Sequence, residues 1–221
     1  QGVSSAASDV YKRQGDDWYQ GTADAVRRNL IHFGADDQDI FVILSGDQLY
    51  RMDFSMMVAE HIERNAEITV AAKPVATDEA SGLGLLRVGD EASIIDFVEK
   101  PTDPDVINRL VPSKLKGDNQ TPDRCLASMG IYVFNASAMF EALKGEAKDF
   151  GKEIIPSLVG KRNLKCHIYD DYWEDIGTVR SFFEANLQLC SERPQFNFYE
   201  QNHPIYNYPD ILPMSKFKES K

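Results

Sequence analysis

Apolar residues near the start of the chain are spaced first as in a helix and then as in a strand. Between residues 23 and 33 an apolar residue recurs every three or four positions, which predicts a helix with Thr22 at its N-cap. Five consecutive apolar residues, Ile40–Leu44, then predict a strand buried on both faces, as in a parallel sheet. A Ser-Gly-Asp sequence follows, so Asp47 is expected at a strand tip, where α/β folds bind ligands.

Helical and strand patterns alternate along the rest of the chain. Further helices are predicted over residues 52–65, 136–144, 153–159 and 178–192, and further strands over 68–73, 83–88, 94–98, 127–134 and 164–169. This alternation predicts an α/β fold with a mixed, mostly parallel central sheet flanked by helices. Residues 101–124 are polar and carry prolines, which predicts an irregular, mobile surface insertion.

Composition narrows the class of protein. The chain has 221 residues, 43% hydrophobic and 27% charged, which suits a globular domain with a sizeable core. A net charge of −11 opposes nucleic-acid binding. No membrane partner is expected either, because no apolar run approaches the roughly 20 residues of a membrane helix. Cys125, Cys166 and Cys190 lack metal-binding spacing and are odd in number, which predicts reduced, mostly buried thiols in a cytoplasmic protein.

The two ends of the chain differ from its centre. Residues 1–14 are rich in serine and alanine without periodicity, so a disordered or foreign leader is expected there. Residues 15–193 contain the alternating strands and helices of the main domain. Residues 194–221 are rich in proline and aromatic residues, and we expect a connector that packs on a neighbouring surface.

Several motifs follow one another in a fixed order. They include Gly21-Thr22-Ala23-Asp24-Ala25, Leu44-Ser45-Gly46-Asp47-Gln48-Leu49-Tyr50, Phe97-Val98-Glu99-Lys100-Pro101 and Trp173-Glu174-Asp175-Ile176-Gly177-Thr178. Together they resemble the signatures of the sugar-1-phosphate nucleotidyltransferase family, from about residue 18 to residue 213. The resemblance implies a Rossmann-like nucleotidyltransferase domain. Two more segments, 127–134 and 149–156, resemble the members that use ATP and glucose 1-phosphate.

The resemblance implies a reaction between two anionic substrates. A phosphate oxygen of glucose 1-phosphate would attack the α-phosphorus of ATP, pyrophosphate would leave, and the ADP-glucose would serve glycogen or starch synthesis. Such a reaction needs alignment and charge neutralisation by Mg²⁺ and cationic side chains. Asp47 and Asp175 match the family's catalytic and metal-binding positions, and we expect them to share one hydrated Mg²⁺ in one crevice. The structural alternatives are a turn residue for Asp47 and a capping residue near Thr178 for Asp175.

Four residues match the family's sugar-phosphate positions: Gly84, Glu99, Lys100 and Ser128. Lys100 follows a predicted strand, where its ammonium can meet a phosphate as a compact charge. The alternative is a surface lysine paired with Glu99. A glycine at position 84 allows a sugar to approach the backbone closely, and the alternative is a bulge or turn.

Three residues, Tyr19, Gly21 and Thr22, match the nucleotide-binding segment on the adenine side. The predicted helix begins here, and a helix N-terminus can bind an anion or the edge of a base. For Tyr19, packing on this helix is an alternative of nearly equal weight.

Two parts of the family pattern have no match in the chain. Family members begin with a strand and a glycine-rich loop that wraps the triphosphate, and they end in a β-helix domain that builds a homotetramer or heterotetramer. We therefore expect the chain to be the central part of a catalytic domain, inactive alone, from the cytoplasm or from a plant plastid. Transfer to another sugar or from another nucleotide, and a non-catalytic regulatory or binding subunit, are the alternative functions.

Overall fold

The computed structural model describes residues 18–34, 36–117, 122–198, 200 and 204–205. The predicted leader, residues 1–14, and most of the predicted connector lie outside the described residues. The described residues form two units, one ending at Trp173 and the other beginning at Glu174. No described helix is both long enough and apolar enough to span a membrane.

Strands and helices alternate along the first unit. Its helices are α1 (Thr22–Asn29), α2 (Phe54–Glu63), α3 (Pro104–Leu110), α4 (Ala136–Ala142) and α5 (Ile155–Leu158). Its strands are β1 (Ile40–Ile43), β2 (Gln48–Tyr50), β3 (Ile68–Ala76), β4 (Leu85–Val88), β5 (Ile94–Val98), β6 (Arg124–Asn135) and β7 (Leu164–Ile168). A π-helical turn, Phe150–Ile154, precedes α5, and β8 (Trp173–Asp175) crosses the boundary between the units. The predicted α/β fold is confirmed.

Six strands form the central sheet, in the order β5-β4-β6-β3-β7, with β1 paired to β6. Strands β3 and β7 are parallel, whereas β6 is antiparallel to β1, β3 and β4, and β4 is antiparallel to β5. The sheet is mixed, as predicted, but its described pairs are mostly antiparallel rather than mostly parallel. The cause is the long strand β6, which runs against three neighbours.

Strand β1 has a different environment from the predicted one. It pairs with β6 from Ile40 opposite Asn135 to Ile43 opposite Tyr132, and no second neighbour occurs among the described residues. Val42 is therefore 37% exposed. The prediction of a strand buried on both faces is wrong here, because an apolar run does not reveal whether a strand is central or lies at an edge.

Apolar side chains cover both faces of the sheet. On one face, Ile68 and Val70 of β3 pack in a cluster with Phe134 of β6. On the other face, Ala71 belongs to a second cluster, which includes Trp173. The two-residue alternation of a strand explains why neighbouring residues of β3 serve different clusters.

The segment predicted to be an irregular insertion contains a helix. Asp103 caps α3, since its carboxylate accepts a hydrogen bond of 2.9 Å from the Asp105 N–H, and Pro104 occupies the first turn. Ile107 and Leu110 of this helix are buried against the sheet in a third cluster. The prediction for residues 101–124 is therefore wrong over residues 104–110.

The second unit contains α6 (Val179–Leu189), within the predicted range of 178–192. Thr178 and Ser181 form a capping box, in which each side chain accepts the backbone N–H of the other. Apolar residues one turn apart on this helix are exposed, with Val179 90% and Phe183 59% accessible.

All three cysteines have free thiols. Cys125 and Cys166 are buried as predicted, and burial raises the pKa of Cys125 to about 11 and that of Cys166 to about 12. Both thiols are therefore protonated at neutral pH. Cys190 is exposed, so two of the three thiols are buried.

Candidate active site

The carboxylate of Glu99, just after β5, lies between two backbone segments. A Cβ atom on Gly84 would lie 2.6 Å from Oε2 of Glu99, and one on Gly151 would lie 2.9 Å from the same oxygen. Real Cβ atoms do not approach other atoms so closely, so Glu99 can take this position only because both residues are glycine. We call Gly84, Glu99 and Gly151 the glutamate cradle. In this structure the group against Gly84 is the Glu99 carboxylate, and approach of a sugar stays a prediction.

Charged side chains of both signs surround the cradle. Partial burial raises the pKa of Glu99, and the nearby carboxylate of Asp149 acts in the same direction. Two ammonium groups, those of Lys100 and Lys152, oppose this rise. The region therefore combines two carboxylates, which can accept hydrogen bonds from hydroxyl groups, with two cations that can attract a phosphate.

Ser128 is joined to the cradle at a bulge in β6. Its backbone N–H donates a hydrogen bond of 2.7 Å to the Gly84 carbonyl. In the pairing with β3, Ser128 lies opposite Ala72 and Tyr132 opposite Val70, so three residues of β6 face one of β3. Bulges of this kind re-aim side chains and are frequent beside active sites.

Tyr132 lies among the charged groups of the site. Burial raises the pKa of its phenol, and the charges of Glu99 and Asp149 raise it further, whereas a hydrogen bond with the Ser128 side chain opposes the rise. Tyr132 is therefore a neutral phenol at physiological pH. It is hydrogen-bonded to Ser128 and lies near enough to Glu99 and Asp149 for their charges to act on it.

Lys100 follows Glu99 and has a backbone φ of 47°. This lies in the left-handed region, which residues other than glycine seldom adopt. Its side chain is exposed, and its ammonium has no ion-pair partner in the part of the chain that the structure describes. The alternative interpretation, a lysine in a close ion pair with Glu99, therefore does not describe this structure.

Thr22 contacts the segment that contains Asp149 and Phe150. The hydroxyl of Thr22 donates a 3.3 Å hydrogen bond to Oδ2 of Asp149 and accepts one of 3.2 Å from the Phe150 N–H. The prediction of Thr22 as N-cap is wrong, because α1 begins at Thr22 and Gly21 occupies the cap position. A Cβ at Gly21 would lie 2.3 Å from the Lys148 carbonyl oxygen, so only glycine fits there.

Tyr19 packs on α1. Its hydroxyl accepts a hydrogen bond of 3.1 Å from the Asn29 side chain, and the Arg28 guanidinium lies 6.0 Å from the centre of its ring. This is the arrangement expected for the packing role. Contact of Tyr19 with a nucleotide stays a prediction.

Asp47 and Asp175 belong to different units. Asp47 is exposed and accepts a hydrogen bond of 2.5 Å from the Ser45 hydroxyl. Asp175 is also exposed and accepts one of 2.8 Å from the Gly177 N–H. The described residues contain no group of three or more His, Cys, Asp and Glu side chains that could hold a metal alone. Two exposed carboxylates fit Mg²⁺, which takes few protein ligands and completes its shell with phosphates and water, but the shared ion stays a prediction.

The structure adds site residues that sequence reasoning did not single out: Tyr132, Asp149, Gly151 and Lys152. Asp149 caps the π-helical turn by accepting a hydrogen bond of 2.9 Å from the Lys152 N–H. Such turns occur often at functional sites. All four residues lie in the segments 127–134 and 149–156, so the resemblance of these segments to particular family members was the signal that could have indicated them.

Comparison with known proteins identifies the family of this chain. The model of the nucleotidyl transferase family matches residues 5–192. The chain belongs to the nucleotidyl transferase family. A similar curated protein is glucose-1-phosphate adenylyltransferase of Dechloromonas aromatica, which is 39% identical over 216 residues. The match covers 90% of this chain and 47% of that relative, so the chain spans about half the length of the relative. The resemblance drawn from the motifs is thus confirmed for the family.

Proposed function

We propose that this chain is part of an enzyme that transfers an adenylyl group from ATP to glucose 1-phosphate, with release of pyrophosphate and formation of ADP-glucose. The observation that carries the proposal is the glutamate cradle with Asp149 and Lys100 next to it. A sugar phosphate has hydroxyl groups at one end and a dianion at the other, which suits paired carboxylates beside an unpaired ammonium. Family membership and the relative's name support nucleotidyl transfer.

Each side chain of the region has a role in this proposal. Glu99 and Asp149 accept hydrogen bonds from sugar hydroxyls, while Lys100 and Lys152 attract the sugar phosphate. Ser128 holds β6 to Gly84 through its backbone and offers its hydroxyl to the substrate. None of these groups has to form a covalent bond, because the reaction needs alignment and charge neutralisation above all.

We propose that the remaining predicted residues bind the nucleotide and its metal ion. Gly21 and Thr22 lie at the N-terminus of α1 and match the family's nucleotide-binding segment, which supports this role, while the next two N–H groups, of Ala23 and Asp24, donate to the Lys148 carbonyl. Asp47 and Asp175 would hold Mg²⁺, which supplies positive charge to the triphosphate when it is bound. The hydroxyl of Ser45 fixes one oxygen of Asp47 and so limits the rotation of this carboxylate.

Substrate profiling of the full-length protein tests the proposal. Purified protein is incubated with glucose 1-phosphate, Mg²⁺ and each of ATP, UTP, CTP, GTP and dTTP, and nucleotide sugar and pyrophosphate are quantified. We expect ADP-glucose at about 10 per second, an ordinary turnover for an enzyme. Glu99→Gln should lose most of this activity, whereas Glu63→Gln, at the exposed end of α2, should keep it.

The same experiment separates the alternatives. A UDP- or dTDP-sugar as main product would identify a transferase for another nucleotide. ATP binding without any product would favour a non-catalytic subunit. The 221-residue chain alone should form negligible ADP-glucose, because the family's triphosphate loop has no match in it. Supply of glycogen or starch synthesis and assembly into a tetramer are proposed from the resemblance.

A further inference from the structure

Gln48 bridges two separate parts of the first unit through its side-chain amide. Its oxygen accepts a hydrogen bond of 3.0 Å from the indole N–H of Trp173, and its nitrogen donates one of 2.7 Å to the Met129 carbonyl. An indole N–H can only donate and a carbonyl can only accept, so the partners fix which way the amide points. We call this chain of two hydrogen bonds the amide bridge.

Both ends of the amide bridge are held firmly. Met129 is fully buried and Trp173 is 7% exposed, and both belong to the same apolar cluster. Met129 also lies inside the bulge of β6, directly after Ser128. Gly130, with a φ of 67°, completes the bulge, and a Cβ there would lie 3.6 Å from Nε2 of Gln48 and 3.8 Å from Cβ of Ser45. The bulge therefore lies against the turn that precedes Gln48.

That turn carries Asp47. The carboxylate of Asp47 is exposed, and it accepts a hydrogen bond from Ser45 of the same turn. Gln48 gives this turn a side-chain link to the buried core, in addition to the backbone pairing of its strand β2. A bridge that holds both Asp47 and Ser128 couples a residue proposed for the metal to a residue proposed for the sugar phosphate.

We propose that Gln48 is a positioning residue, whose amide bridge fixes the Asp47 turn against the Ser128 bulge. This inference rests on the proposed function, because Asp47 and Ser128 count as site residues only there. Gln48 itself touches no reacting atom in this proposal. It limits the movement of Asp47 and Ser128, which must be aligned with the substrates at the same time. Small misplacement of aligned groups lowers reaction rates strongly.

Three substitutions break the bridge in different ways. Gln48→Met keeps the length of the side chain and removes both hydrogen bonds. Gln48→Glu keeps the acceptor for Trp173 but places a carboxylate oxygen against the Met129 carbonyl. Trp173→Phe keeps an aromatic ring and removes only the indole donor. Gln38→Met, in an exposed loop, is the matched control.

Hydrogen exchange of the full-length protein measures positioning without relying on activity. We expect the amides of residues 45–50 to exchange about 3- to 10-fold faster in Gln48→Met, as for loss of buried hydrogen bonds. In Gln48→Met, exchange in the rest of β6 should stay as in the wild type. The control Gln38→Met should keep the wild-type melting temperature. Should Gln48→Met fail to fold, Gln48→Glu and Trp173→Phe give the same readout.

Kinetics then test the link to the reaction. In a wild type that forms ADP-glucose, Gln48→Met and Trp173→Phe should each lower kcat/KM by about 10- to 100-fold. The double variant should fall little further, because both remove the same bridge. Gln48→Glu should regain part of its loss at lower pH, where a protonated carboxyl can again donate to Met129. A role of Gln48 that did not depend on its donation to Met129 would not predict this recovery.

The outcomes separate the two proposals. Faster exchange at residues 45–50 supports the positioning role even if the wild type forms no ADP-glucose, a result that would refute the proposed function alone. Unchanged exchange, or independent and multiplicative effects of Gln48→Met and Trp173→Phe in an active enzyme, would overturn the amide bridge and leave the proposed function standing.

Discussion

Lys100 combines a strained backbone with a proposed substrate contact, and two substitutions can separate these properties. With a φ of 47°, an L residue at this position costs roughly 1–2 kcal/mol of folding free energy. Glycine removes this strain but loses about 0.5–1 kcal/mol more chain entropy on folding. Lys100→Gly should therefore be more stable than Lys100→Ala by about 0.5–1 kcal/mol, although glycine is normally the weaker residue.

Both variants lack the ammonium group, so their kinetics should agree. A charge-assisted contact to the phosphate of glucose 1-phosphate is worth roughly 1.5–3 kcal/mol, which corresponds to a rise in KM of about 10- to 150-fold. The turnover number should change little, because the contact exists already in the ground state. The double comparison thus predicts equal loss of affinity in two variants of unequal stability.

Urea unfolding gives the stabilities, and initial rates of ADP-glucose formation by the full-length protein give KM and kcat. The control pair is Lys114→Gly and Lys114→Ala, on an exposed turn with no positive φ, where glycine should be the less stable residue. Lower stability of Lys100→Gly than of Lys100→Ala would refute the strain argument. An unchanged KM with a collapsed kcat would make Lys100 a transition-state residue instead.

Three further predictions follow from the described contacts. Gly84→Ala should displace the Glu99 carboxylate and raise the KM for glucose 1-phosphate about 10-fold or more, whereas Gly145→Ala, with no neighbour within 4 Å, should keep the wild-type KM; equal kinetics of the two variants would contradict the cradle. Burial lowers the pKa of His61 below its ordinary 6.5, so the folded state binds fewer protons than the unfolded state. The free energy of unfolding should therefore fall as pH decreases below about 6.5, and urea titrations should show a shallower fall in His61→Gln; equal slopes would exclude His61 as the source. Leu110→Ala should cost about 2–5 kcal/mol in urea unfolding, because Leu110 is fully buried, and a cost below about 0.5 kcal/mol, typical of surface sites, would place α3 outside the core.

Local patterns predicted the elements better than they predicted how the elements pair. The strand over residues 94–98 has the predicted bounds, and the α3 helix could have been found from Asp103 and Pro104, which are ordinary start signals. The direction of β6 could not be predicted, because an apolar strand has the same sequence pattern in parallel and antiparallel pairs when both of its faces are covered. For the same reason, the exposure of β1 depends on its position at an edge rather than on its residues.

The candidate site shows a similar division. The motifs indicated Gly84, Glu99 and Ser128 separately, and the structure brings them together. The role of Gly151 could not be predicted, because it depends on the distance to a side chain 52 positions earlier in the sequence. A glycine whose missing Cβ makes room for a distant carboxylate leaves no periodic pattern.

Departures from regular geometry support this location independently of the motifs. Three of them lie around Glu99 and Ser128: the left-handed backbone of Lys100, the bulge of β6 and the π-helical turn at 150–154. A strained backbone such as that of Lys100 persists mainly where the surrounding contacts enforce it, and bulges and π-helical turns are frequent at functional sites. Other left-handed residues have local explanations, since Asn65 follows a helix end and Glu91 and Ala92 form the tight turn between β4 and β5. The left-handed Lys100, the β6 bulge and the π-helical turn lie together, beside the carboxylates of Glu99 and Asp149 and the ammonium groups that act on Glu99.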